Sequence, residues 1–396
     1  MSTTTKKREE TSSSTDNNSR RRKRRTVWID TDVGFDDLVA ISSLDCRQDI
    51  DIGLVTTVGG IQSNPVDSAK LLMDTWLVPT TTTVISGLVP LAIQNDEDID
   101  STPSWLQNTR KKLKSLHLEV IALQAKNHPP FGSSSSSSST LDTQKGWNQL
   151  AQFLTSQEDR SVDLLCLGPL ANIAYCLLDG NRNNNEDDTT MMMQELMDSK
   201  LRQVWIMGGN NPSVSNEPEF NFATDALATA QVLEGCSAAL KDRIHIVPAQ
   251  TCELQNNLEN TTTTTTTSSN STVPTVEATW DRLVNLATSE EEASESSKDR
   301  SMSLLQRVFQ STPDFSSLKY DAICAFAYYR EDQVAMEQLQ IRVDSTSGAL
   351  VEDNYQSAGL RFVTDFPLNG QDGFFQWIQE AIESSSSSSS SSSSTR

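Results

Sequence analysis

Residues Ile29 to Ala40 read I-D-T-D-V-G-F-D-D-L-V-A, and the fold is decided by this stretch. Asp30, Asp32, Asp36 and Asp37 set four carboxylates within eight positions. Charges so crowded repel one another, and a divalent cation that favours hard oxygen ligands, calcium or magnesium, relieves that repulsion. Val27, Trp28 and Ile29 form an apolar run that predicts a buried strand. Gly34 permits a tight turn, and Leu38, Val39, Ala40, Ile41 and Leu44 predict a helix beyond it. An acidic cluster at the carboxyl end of a strand, opening a helix, lies where open α/β sheets carry their chemistry. The plainer alternative, a solvated acidic loop capping a helix, is opposed by the apolar residues on both sides.

Outward from this point the chain alternates. Strand-like runs stand at Val27–Ile29, Ile52–Val58, Thr83–Ile85, Leu164–Leu167, Val204–Met207 and Ile244–Val247, and helix-like segments at Asn64–Trp76, Leu170–Leu178 and Asp225–Leu233. Turn residues close the strands: Gly59-Gly60, Gly87, Gly168-Pro169, Gly208-Gly209-Asn210 and Pro248. Continuous apolar strands separated by helices imply a parallel sheet covered on both faces. The expected fold class is therefore α/β, an open and mostly parallel β-sheet flanked by helices. It forms a single domain interrupted by low-complexity insertions.

Those insertions explain a composition that is otherwise lean for a globular enzyme: 36% hydrophobic over 396 residues, with a mean hydropathy of −0.44. They are serine at 133–139, Asn/Asp-rich sequence at 181–190, threonine at 261–267, acidic serine-rich sequence at 289–297, and a terminal serine run at 384–394. None buries enough apolar surface to fold alone. The expected organisation is a disordered basic Ser/Thr-rich arm over 1–25, the domain over 26–383, and a disordered serine tail over 384–396. A net charge of −21 argues against nucleic acid or an acidic membrane as partner. No run approaches a membrane span, and the amino terminus lacks the apolar region of a secretory signal. Six scattered cysteines without a CxxC pair fit reduced core residues of a cytoplasmic protein. The basic run Arg20–Arg25 fits either a nuclear-import signal or solvated charge.

The strand ends carry further motifs. L-G-P-L-A-N covers Leu167–Asn172, M-G-G-N begins at Met207, and N-E-P-E-F-N-F-A-T-D covers Asn216–Asp225. Lys319-Tyr320-Asp321-Ala322 opens a late apolar helix. Together with D-x-D-x-G-x-D-D at Asp30–Asp37 and T-T-V-G-G at Thr56–Gly60, this order resembles the inosine–uridine-preferring nucleoside hydrolase family over roughly residues 26–380.

The resemblance implies hydrolysis of the N-glycosidic bond of ribonucleosides, in purine or pyrimidine salvage, by a homo-oligomer. It implies one calcium ion held by Asp32, Asp37, the carbonyl of Ala171 (threonine in most relatives) and Asp321. Asp36 would bind the 2′-hydroxyl, with Asn216, Glu219 and Asn221 around the rest of the sugar. Asp32 would also be the general base toward the calcium-held water, with Asp30 in support. Such chemistry passes through an oxocarbenium-like state, which aimed carboxylates stabilise.

This chain also departs from the family pattern. Ile61 stands where relatives have asparagine, and an alkyl group forfeits the amide's hydrogen bonds. Gln62 and Asn64 are the nearby amides able to compensate. Tyr320 replaces a histidine; it can stack on or hydrogen-bond to the base but is a poor acid near neutral pH. The segment from Asn210 to Glu219 is short, and Ser347 occupies the arginine position of a T-R-G motif. His128, before Pro129-Pro130-Phe131-Gly132, resembles a mobile base-facing segment, whereas His245, Trp147, Trp205 and Trp377 fit core packing.

Two rival readings remain: a catalytically weak relative that binds a ribosyl ligand, and a haloacid-dehalogenase-like phosphatase using Asp30-Thr31-Asp32. Gly34 and the Asp36-Asp37 pair fit the phosphatase poorly.

Overall fold

Strand β1 (Arg25–Thr31) pairs in parallel with β2 (Ile50–Thr57) on one side and β4 (Val162–Cys166) on the other. From that centre the sheet extends to β3 (Thr83–Ser86) at one edge. Toward the other edge it passes through β5 (Leu201–Met207), β6 (Ile244–Val247) and β10 (Leu360–Asp365) to β7 (Ala335–Leu339). The order is β3-β2-β1-β4-β5-β6-β10-β7, and all neighbours run parallel except β10 and β7. A separate antiparallel pair joins β8 (Ile341–Val343) to β9 (Leu350–Glu352).

The computed structural model describes residues 24–61, 64–75, 82–90, 104–109, 111, 143–178, 193–253, 276–288, 305, 308–309, 318–353, 359–366 and 368–388. His128, Gln62 and the insertions at 133–139, 181–190, 261–267 and 289–297 lie outside the described residues.

The strands are continuously apolar because both faces are covered. On β1, Val27 and Ile29 join one core cluster, and Trp28 joins the other. The first cluster holds α1 (Phe35–Asp45), α11 (Tyr320–Tyr329) and α12 (Leu368–Ser388). The second holds α3 (Thr143–Ser156), α4 (Ala171–Leu178), α5 (Met193–Lys200) and α7 (Ala226–Leu233). Further helices are α2 (Pro65–Thr75), α6 (Phe220–Thr224), α8 (Ala238–Lys241), α9 (Ala249–Cys252) and α10 (Val276–Thr288).

All six sequence-predicted strands are present, with ends shifted by a few residues at most. Trp147, Trp205 and Trp377 are buried, and His245 stacks on Trp205 with ring centroids 4.4 Å apart. None of the six cysteines forms a disulfide, and all but Cys46 are buried.

Two features differ from expectation. The strands β7 to β10 carry no apolar run long enough to announce them; β7 reads A-M-E-Q-L and is largely exposed. Helix α12 also continues through Ser388, into the run expected to begin a disordered tail at 384. Phe374, Trp377, Ile378, Ala381 and Ile382 bury its face, and Ser384 Oγ donates to the Glu380 carbonyl at 2.7 Å. Once such a helix is nucleated by packing, each added residue gains a hydrogen bond, so serine can extend it.

The chain runs outward from β1 through β2 to β3, then returns to β4 on the other flank of β1. This reversal is a topological switch point at the carboxyl ends of β1 and β4, where open α/β sheets take ligands.

Candidate active site

The loop leaving β1 is built around Asp37. Thr31 Oγ1 donates to Asp37 Oδ1, and Gly34 N–H donates to Asp37 Oδ2 at 2.9 Å, closing the first turn of α1. Thr31 Oγ1 in turn accepts from Val33 N–H at 2.9 Å. Pinned from both ends, Val33 adopts φ +61°, a left-handed conformation that a β-branched residue rarely takes. Such strain costs on the order of 1–3 kcal/mol and persists only where the surroundings impose it.

Helix α11 packs alongside α1 and brings its first turn to the same edge. Carboxylate oxygens of Asp36, Asp37 and Asp321 then lie within 4.8 Å of one another. Asp37 and Asp321 are buried, and Asp321 Oδ1 has no hydrogen-bond partner. Burial, reinforced by the neighbouring acids, pushes Asp37 and Asp321 well above the ordinary carboxylate range. Burial and Asp32 push Asp36 to about 7. Either protons or a cation must balance these groups. The donors are hard oxygens converging on one region with an orphaned atom among them, so the residues fit a hard divalent cation.

Asp32 stands beside this group, 3% exposed. Burial drives it upward, against the amide of Ile61 and neighbouring Asp37, which favour its charged form. Its Oδ2 accepts from the Ile61 main-chain N–H at 2.9 Å. The two turns flanking β1 press against it closely. A Cβ added to Gly60 would stand 2.0 Å from Asp32 Oδ2, and one added to Gly168 would stand 2.9 Å from the Asp32 nitrogen. Behind it, Asp30 is fully buried, accepting from Thr56 Oγ1 and, at 2.7 Å, from Asn172 Nδ2. Burial raises Asp30 to about 7, and its Oδ2 has no partner.

The other strand ends supply the walls. Gly209, at φ +70°, makes the turn after β5, and its N–H donates to Glu219 Oε2 at 2.8 Å. Glu219 also caps α6, accepting from Asn221 N–H at 3.0 Å and Phe222 N–H at 3.2 Å. Asn221 Nδ2 bridges the Leu167 carbonyl at 3.0 Å and the Met207 carbonyl at 3.3 Å, tying the ends of β4 and β5. Asn216 is exposed on the preceding loop. Ala171 is buried at the first position of α4. At the start of α11, Tyr320 Oη and Lys319 Nζ both donate to Glu253, each at 2.6 Å. Burial pulls Glu253 up, but these two partners pull it further down.

The family model for inosine-uridine preferring nucleoside hydrolases matches residues 27–366. The chain belongs to this family. By sequence alone, no curated protein matches it. Among solved structures, the inosine-uridine preferring nucleoside hydrolase from Bacillus anthracis is 17% identical with a TM-score of 0.57, covering 91% of this chain and 99% of its own. A purine-preferring ribonucleoside hydrolase from Gardnerella vaginalis is 13% identical with a TM-score of 0.56, covering 91% and 99%. A plant nucleoside hydrolase is 16% identical with a TM-score of 0.55, covering 90% and 98%. These identities speak to fold, and the sheet with its flanking helices is that of nucleoside hydrolase structures.

Within this family frame the structure gathers Asp36, Asp37 and Asp321, with Asp32 adjoining. Glu219 and Asn221 line the β5 end but hold scaffold; three of the roughly four lone-pair sites of the Glu219 carboxylate already accept backbone amides. Asn64 does not stand in for the missing asparagine. Its Oδ1 caps α2, accepting from Val66 N–H at 3.0 Å. Three contributors carried no assigned role in the sequence reading: Thr31, Thr56 and Asn172. Thr31 lies inside the D-T-D motif and Asn172 ends L-G-P-L-A-N, so their positions were marked although their partners were not.

Proposed function

We propose that this nucleoside hydrolase family member is a calcium-dependent N-ribohydrolase acting on ribonucleosides. The observation that carries the reading is the convergence of Asp36, Asp37 and Asp321 beside Asp32 at the sheet's reversal point. Asp32, Asp37, Asp321 and the Ala171 carbonyl would hold the ion. When bound, calcium supplies positive charge that eases deprotonation of a nearby water. Asp32 would take the proton as the water's oxygen bonds to the anomeric carbon. The C1′–N bond breaks, the base leaves with the electron pair and takes up a proton, and free ribose results. Asp36 would orient the sugar's 2′-hydroxyl, with Asn216, Glu219 and Asn221 near the rest of the ring. Carboxylates stabilise the cationic ring more in the transition state than in the neutral substrate, which is the requirement for acceleration.

The preferred base is left open. Ribose release from inosine, uridine, adenosine, guanosine and cytidine, with calcium and with excess chelator, tests the reading. Calcium-dependent release from at least one nucleoside supports it, and no release from any of them sinks it.

A catalytically weak ribosyl-binding protein is the second reading. It is favoured by Tyr320, whose hydroxyl proton is directed to Glu253 rather than toward a leaving base. Tight nucleoside binding without turnover would select it. The phosphatase reading is set aside: Asp30, its required nucleophile, is fully buried and bonded to Thr56 and Asn172.

A further inference from the structure

Ile61 replaces a side-chain amide with a hydrocarbon, yet the carboxylate beside it is not left unheld. Its main-chain N–H reaches Asp32 Oδ2 at 2.9 Å, a bond that any residue except proline can supply. The approach depends on Gly60. An added Cβ there would meet Asp32 Oδ2 at 2.0 Å and Asp32 Cβ and Cγ at 2.7 Å, so one of the two must move. The side chain of Ile61 goes elsewhere. The point where a Gly34 Cβ would stand is 2.9 Å from Ile61 Cδ1, 2.8 Å from Asp36 Oδ1 and 2.9 Å from Asp37 Oδ2. The hydrocarbon therefore covers the Gly34 turn beside Asp36, while the backbone serves Asp32.

We propose that Gly60 and the main-chain amide of Ile61 are positioning residues for Asp32. The glycine admits the loop to the carboxylate, and the amide fixes the orientation of the carboxylate. The inference rests on the hydrolase reading for its catalytic meaning, but the clamp itself is measurable without turnover. The hydrogen bond to the acid comes from the main chain, so it does not depend on which non-proline side chain stands at position 61.

Two measurements test this. In steady-state kinetics at saturating calcium, Gly60→Ala and Ile61→Pro should each lower kcat by about 10²-fold, the usual consequence of misplacing a reacting group by about an ångström. Ile61→Ala keeps the amide and removes only the hydrocarbon, so its effect should fall mainly on KM. Its kcat should stay at least about 10-fold above that of Ile61→Pro. Equal kcat for the alanine and proline variants would overturn the proposal. The second readout is hydrogen exchange at the Ile61 amide, which should be slow in the wild type. Asp32→Ala should accelerate it relative to amides within β2. Equal exchange in both proteins overturns the clamp even if every variant is inactive. A protected amide in a protein that releases no ribose from any nucleoside would instead uphold the clamp and defeat the hydrolase reading.

Discussion

Asn172 and Asp30, 142 residues apart in sequence, meet at 2.7 Å, with Asn172 Nδ2 donating to Asp30 Oδ1. The same amide group donates to the Thr57 carbonyl at 3.1 Å, and its oxygen accepts from Leu88 N–H at 2.8 Å. One side chain therefore joins the start of α4 to the ends of β1 and β2 and to the segment after β3. Asn172→Ala would strand Leu88 N–H and remove a donor from buried Asp30. An unsatisfied buried polar group costs about 1–3 kcal/mol, so the urea midpoint should fall accordingly. Asn172→Asp is nearly isosteric but sets a second carboxylate against Asp30, and it should be less stable than the alanine variant. If the aspartate variant unfolds at the wild-type midpoint, this bond does not support the strand ends.

That staple marks the boundary of what the sequence made legible. The carboxylate cluster and the strands around it were readable because a buried parallel strand must be apolar on both faces. The acids were conspicuous because nothing nearby neutralised them. Strand β7 was not readable, since an exposed edge strand imposes no such pattern on its residues. The Ile61 amide was invisible for a different reason: every non-proline residue carries one, and only the course of the chain aims it at Asp32. Val33 was hidden because valine argues locally against the left-handed conformation that Thr31 and Asp37 impose. The motif marked Glu219, but its bonds to the main-chain amides of Gly209, Asn221 and Phe222 are relationships no motif displays.

Calcium should stabilise the fold as well as serve the reaction. A ligand that binds only the native state adds about 2.7 kcal/mol of stability at a hundred times its dissociation constant. Melting with calcium should therefore occur at higher temperature than melting with excess chelator. Asp321→Asn and Asp37→Asn should shrink that difference. A melting temperature indifferent to calcium in the wild type would show that the acid cluster is balanced by protons alone.

Glu253 should prove structural at the start of α11. Lys319 is 7% exposed and its ammonium lies 2.6 Å from Glu253 Oε2. Glu253→Ala leaves that buried cation without this partner and also frees the Tyr320 hydroxyl. The cost should be about 1–3 kcal/mol, at the lower end because Glu253 is itself half exposed. Glu253→Gln keeps an acceptor for one of the two donors and should be milder. Thermal unfolding of the two variants side by side checks the order; an alanine variant as stable as glutamine would show that Lys319 finds water instead.

Asp32→Asn separates orientation from proton transfer. The asparagine's single oxygen can still accept from Ile61 N–H, so the loop after β2 should keep its place. What it cannot do is take a proton from water at neutral pH. General-base contributions are typically about 10²–10⁴-fold, and kcat at saturating calcium should fall by that amount, while calcium's stabilisation of the fold shrinks as for the other ligand variants. Saturation matters, because a weaker metal ligand would otherwise imitate the loss of a base. A variant within a few-fold of wild-type kcat would mean that another acid accepts the proton. Asp36, close to Asp37 and Asp321 in the same cluster, would then be the group to substitute next.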